Sequence, residues 1–151
     1  MQRSLSNLPY LRRLLKTASA RASWWDLLWA DPYMKLLRRI KVEYRTDFQR
    51  LYASYYGQGL PLSYLLKQGY VLCLRALIFE EMDFSTSGRT ASCLAFLVHV
   101  IDDWSASAQD FSLDYIVDSI AIPVWQLSRF RASGPSGRSE PTPAQRPTGS
   151  Q

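Results

Sequence analysis

Between Ala91 and Ile101 every residue is apolar except Ser92 and His99. A run of this length cannot cross a bilayer, which takes about 20 residues. As a helix it is apolar on all sides, so other elements must wrap it. That requirement predicts a bundle with this segment at its centre. The remaining residues must then supply amphipathic helices as cover.

They do so along most of the chain. Leu8, Leu11, Leu14 and Leu15 recur at helical spacing, with Arg12, Arg13 and Lys16 turned away. Ser23 is placed to cap a second helix carrying Trp24, Trp25, Leu27, Leu28 and Trp29. Asp31-Pro32 reads as an N-cap followed by proline at the first helical position. From there Tyr33, Leu36, Leu37, Ile40, Tyr44, Phe48, Leu51 and Tyr55 fall within about 120° of one another on one continuous helix. Gly57 and Gly59 stop it, and Pro61 prevents its resumption.

Ser63 opens a further helix, Tyr64 to Met82, whose apolar residues point all round. Residues 83–88 (Asp-Phe-Ser-Thr-Ser-Gly) read as a loop, and Asp102-Asp103-Trp104 returns the central helix to the surface. Ser112 caps a last helix striped by Leu113, Ile116, Val117, Ile120, Val124 and Leu127, which Pro123 is expected to kink or end early. No alternating pattern announces a strand. From Ser133 onward four prolines, three glycines and no large apolar residue predict a disordered tail. The expected organisation is therefore one helical domain, residues 1–132, followed by the tail, 133–151.

Charge and inventory exclude most chemistries. The single histidine, His99, lies in the most apolar helix, so no Cys–His or Ser–His pair is available without it. Asp102 and Asp103 project about 100° apart on a helix and do not form a carboxylate dyad. There is no glycine-rich phosphate loop, no metal-ligand spacing and no cofactor motif. Cys73 and Cys93 sit in apolar runs and read as small buried hydrophobes in a reducing compartment.

No signal peptide or membrane-spanning run is visible, and the expected location is intracellular. Residues 1–50 hold eleven Lys/Arg against four Asp/Glu, whereas residues 51–132 hold five against eight. The basic third, with Trp24, Trp25, Trp29 and Tyr33 interleaved, fits either a nucleic-acid scaffold or an interfacial membrane anchor. A third reading is helix-in-groove binding. Gly88 would admit another backbone at the start of the central helix, and Arg89 would hold a carboxylate at the rim of an apolar trough.

Three blocks in order carry a family resemblance. They are Ser23-Trp24-Trp25 with Trp29, Lys35-Leu36, Arg39-Ile40-Lys41, Tyr44 and Phe48; Asp83-Phe84-Ser85-Thr86-Ser87-Gly88-Arg89 with Ala95-Phe96-Leu97 and Trp104; and Tyr115, Ile120 and Trp125. From about Leu8 to Arg131 the chain resembles the adenovirus early-region 1B small T-antigens. The resemblance implies an all-α, Bcl-2-like bundle that suppresses death of the infected host cell by binding Bak, Bax and related death-motif proteins. It also implies association with cytoplasmic membranes and with the nuclear envelope and lamina.

Cellular Bcl-2 proteins open their central helix with N-W-G-R, followed by a small residue three places and a phenylalanine seven places after the arginine. Gly88, Arg89, Ser92 and Phe96 occupy those positions here. By that carry-over Arg89 pairs with the aspartate of the bound helix and Phe96 lines the groove floor, with Phe84 and Leu77 completing the expected partner-helix site. Thr86-Ser87 stands where Asn-Trp would be, no W-x-x-x-x-G-G-W signature follows, and there is no hydrophobic membrane tail. The alternative reading is a basic nuclear scaffold that binds nucleic acid or lamina components.

Overall fold

Capping chemistry sets the helix starts. In the computed structural model, which describes residues 5–107 and 110–138, the Asn7 side chain accepts from Tyr10 N–H to open α1, Leu8–Ala18. Ser23 and Asp26 form a reciprocal capping box on the short α2, Trp24–Leu28. Asp31 accepts from Met34 N–H (2.8 Å) and Pro32 takes the first position of α3, Pro32–Glu43. Thr86 Oγ1 accepts from Arg89 N–H (3.2 Å) at the start of the central helix, and Ser112 Oγ accepts from Tyr115 N–H (3.1 Å) at the start of the last.

The remaining elements are α4, Arg45–Ser54; a two-residue antiparallel pair, β1 Tyr56–Gly57 with β2 Leu60–Pro61; α5, Leu62–Lys67; α6, Leu72–Glu81; α7, Ser87–Ser107; and α8, Leu113–Arg138. The described residues are thus all-α apart from that one pair of strands. Helix α7 runs through the middle, packed by α1, α3, α4, α5 and α8. Leu94, Ala95, Leu97, Val98, Val100 and Ile101 are fully buried on it, as the apolar run requires.

Several expectations about element bounds are corrected. The single helix expected from Tyr33 to Tyr55 is two, because Tyr44 leaves helical geometry (φ −107°, ψ 25°). The break re-aims the chain so that Phe48 and Tyr52 face α7, while Tyr44 and Leu51 of the same sequence stripe remain exposed. The helix expected from Tyr64 to Met82 is also two. Gly69 takes φ +89° after α5, with Tyr70 N–H donating to Leu65 C=O (2.9 Å) and Gly69 N–H to Leu66 C=O (3.0 Å). That pairing is a Schellman motif, which terminates a helix and needs a residue tolerant of positive φ.

A strand pair forms where none was expected, because Gln58 (φ 52°) and Gly59 (φ 82°) supply the two positive angles of a tight hairpin turn. Helix α7 does not surface at Trp104. It continues to Ser107 with Trp104 fully buried, edge-on to Phe111 and Tyr115. Pro123 neither ends nor shortens α8, whose flank is held by α1 and α6. The helical backbone reaches Arg138, five residues past the expected boundary at Ser133, and the rest of the expected tail, 139–151, lies outside the described residues.

Candidate helix-binding site

The loop between α6 and α7 is built around Asp83. Its Oδ1 accepts from Ser85 N–H (2.9 Å) and its Oδ2 from Arg89 Nη1 (2.6 Å). Bonds from Ser85 and then the Arg89 guanidinium hold the Asp83 carboxyl down at about 2. Phe84 turns inward and is buried, and the Cys93 thiol, pushed up by its own burial, reaches the Asp83 carbonyl at 3.5 Å. Arg89 stays outside, with its side chain 65% exposed. Above Gly88 nothing lies within 4 Å of where a Cβ would stand, so the surface beside the arginine is bare.

Two clefts flank α4. One, about 230 Å³, is lined by Tyr55, Tyr56, Gly57, Leu62, Cys73, Ala76, Leu77, Glu80 and Glu81. The other, about 370 Å³, runs along Leu36, Arg39, Ile40, Glu43, Tyr44, Asp47 and Phe48 and is closed at one side by Ser92. Between them Phe96 is covered. Phe48, Tyr52 and Tyr55 of the α4 segment stand edge-on to its ring at 5.7, 6.2 and 6.1 Å, and His99 stacks on it at 6.4 Å.

The structure therefore divides the six expected site residues. Gly88 and Arg89 are open to solvent at the start of α7, the exposed Ser92 and the buried Leu77 line separate clefts, and Phe84 and Phe96 are buried. Phe96 is not a groove floor in this conformation. It lies beneath an aromatic cover that sequence reasoning did not assemble. The Tyr55-Tyr56-Gly57 cluster and the adjacent pair Glu80-Glu81 were the signals for the cleft walls, but neither says which helix it faces.

The model of the family described as adenovirus E1B 19K protein / small t-antigen matches residues 1–133. The chain belongs to that family. The E1B small T-antigen of human adenovirus F serotype 40 is 35% identical over 148 residues, covering 96% of this chain and 82% of the relative. That of human adenovirus C serotype 2 is 33% identical over 123 residues, covering 81% and 67%. That of simian adenovirus serotype 7 is 31% identical over 128 residues, covering 84% and 68%. No solved structure matches the chain. In this E1B chain no helix among the described residues is long and apolar enough to cross a membrane.

Proposed function

We propose that this E1B protein is a Bcl-2-like inhibitor of host-cell apoptosis, a binding protein that sequesters the death-motif helix of Bak- or Bax-like effectors. The observation that carries the reading is the Leu77 cleft, an apolar trough between the α4–hairpin segment and α6, with the exposed Arg89 following α6 in the chain. An amphipathic helix buries spaced apolar anchors in such a trough and offers a carboxylate to a rim arginine. Opening the cover over Phe96 would lengthen the trough along α7.

The test is titration of fluorescent Bak and Bax death-motif peptides into the folded protein at low and high salt, beside a DNA duplex. Saturable peptide binding that barely changes with salt supports the reading. Steeply salt-dependent DNA binding with no peptide binding overturns it in favour of a nucleic-acid scaffold. The structure gives the scaffold less to work with, because Arg38 and Lys41 direct their donors to the carbonyls of Thr17, Ser19 and Ala18 and to Asp102.

A second reading, compatible with the first, rests on α2. None of its residues is buried, and Trp24, Trp25 and Trp29 are 66%, 63% and 74% exposed. Such a cluster beside basic residues suits the interface of an anionic membrane. Sedimentation with phosphatidylserine vesicles, before and after replacing the three tryptophans, tests it. Equal recovery of both proteins would remove this reading.

A further inference from the structure

Among the described residues, no cation is paired with the acidic lip of the Leu77 cleft. Glu80 and Glu81 are exposed, and neither carboxylate is in an ion pair among the described residues. Both stand in the last turn of α6, where the helix dipole is already negative, and that turn contains no basic residue. Asp83 follows two residues later and is paired with Arg89. The Tyr55 phenol, at the opposite wall, is pushed up first by burial and then by the charge of Glu81, so that charge is felt across the cleft. In a chain of net charge +5, this is a local inversion placed at the edge of an apolar trough.

We propose that the helix held in the Leu77 cleft carries a lysine or arginine on the flank that faces Glu80 and Glu81, in addition to the carboxylate read by Arg89. The inference rests on the helix-in-groove reading above and adds the second half of its charge code. Cation and carboxylate on the partner are then set apart by the spacing of their receptors. Glu81 and Asp83 are two residues apart, at most about 7.6 Å between Cα atoms, and Arg89 is in contact with Asp83. A helix rises about 5.4 Å per turn. The cation therefore lies about one turn, three or four residues, from the acid on the same face. A partner with acids at both places meets like charge at Glu80 and Glu81, which supplies discrimination by repulsion as well as attraction.

The probe is a 20-residue amphipathic peptide, acetylated and amidated, with leucines at helical spacing and one aspartate. It is made in three versions, with Lys, Gln or Glu four residues from the aspartate. Titration into the full chain should rank Lys above Gln above Glu, with about threefold to tenfold between the extremes at low salt and less at high salt. The E80K/E81K double variant should reverse the ranking. Both sites are exposed, so it should fold, and circular dichroism checks this.

Reversal by the double variant is the decisive support, since a merely structural role for the two glutamates would weaken all three peptides alike. Three equal affinities would overturn the cation code and leave helix binding standing. A Lys preference that survives in the double variant would place the cation's receptor elsewhere and also overturn it. Failure of every peptide to bind the folded wild type would remove both the code and the reading beneath it.

Discussion

Arg89 is already occupied by a carboxylate of its own chain, with its Nη1 2.6 Å from Asp83 Oδ2 at the start of α7. On the helix-binding reading proposed above, Asp83 stands where the acid of a bound helix would, and ligand binding would exchange one carboxylate for another. Both side chains are well exposed, so the internal pair is weak in the way surface pairs are. Asp83→Asn is expected to raise affinity for an acidic death-motif peptide about twofold to fivefold. Arg89→Glu should abolish binding while the fold persists, because it turns an attraction into a like-charge contact. Peptide titration with a circular dichroism control reads both. A folded Arg89→Glu protein of unchanged affinity would end the role of that arginine.

The central helix carries the fold. Leu97 is fully buried in the middle of α7, inside the one core that the surrounding helices share. Leu97→Ala should cost about 2–5 kcal/mol, the range for a leucine whose cavity cannot collapse. Urea denaturation measures it. A change inside about 0.5 kcal/mol would mean that the surrounding helices close on the gap freely.

Acid should weaken the same region through His99. The ring is half-buried against Phe48, Tyr52 and Phe96. Burial pulls its pKa below the ordinary value of 6.5, with Lys41 and Arg45 adding to the fall and Asp102 and Asp103 opposing it. The folded state thus holds the neutral ring, and the unfolded chain takes up a proton first as pH falls. Stability is full above pH 6.5, declines as pH drops through that value, and levels off below the depressed native pKa. Urea midpoints between pH 7.5 and 5.5 should show this slope, and His99→Phe should flatten it. Identical slopes for both proteins would show that the histidine is not the titrating group.

Particular residues explain what was legible beforehand. The run Ala91–Ile101 could be buried only as a central helix, and Ser23, Asp31 and Ser112 announced their helices because a side-chain cap is a local device. The break at Tyr44 was not legible, since an aromatic residue continued the apolar stripe and the change of direction depends on how Phe48 and Tyr52 meet Phe96. Gln68-Gly69 was a local stop signal of the ordinary kind, obscured by apolar residues on both sides. At the site, the position of Arg89 followed from a motif. The burial of Phe96 and the facing of Glu80 and Glu81 follow from tertiary packing, which no spacing encodes.

The tie that joins three helices gives the last prediction. The end of α1 leaves carbonyls without helical partners. Arg38 Nη1 donates to Thr17 O (3.1 Å) and Ser19 O (3.0 Å), and Lys41 Nζ donates to Ala18 O (2.9 Å). Lys41 also meets Asp102 Oδ2 at 2.7 Å, while Asp102 Oδ1 accepts Ala20 N–H at 2.7 Å. The lysine and aspartate side chains are only 12% and 21% exposed, unlike Arg12 and Asp118, whose pair at the same distance is 44% and 39% exposed. Asp102→Ala leaves the ammonium with only the Ala18 carbonyl and takes the acceptor from Ala20 N–H, and should cost about 2–3 kcal/mol. Asp118→Ala should cost about 0–1 kcal/mol. Asp102→Asn, which keeps an acceptor for Ala20, should fall between them. Removing the lysine as well, in Lys41→Met with Asp102→Asn, should cost less than the sum of the single changes, because neither charge is then left behind. Equal costs for Asp102→Ala and Asp118→Ala in urea would show that the clasp is a surface pair in solution and that α1 is held to α7 by apolar packing alone.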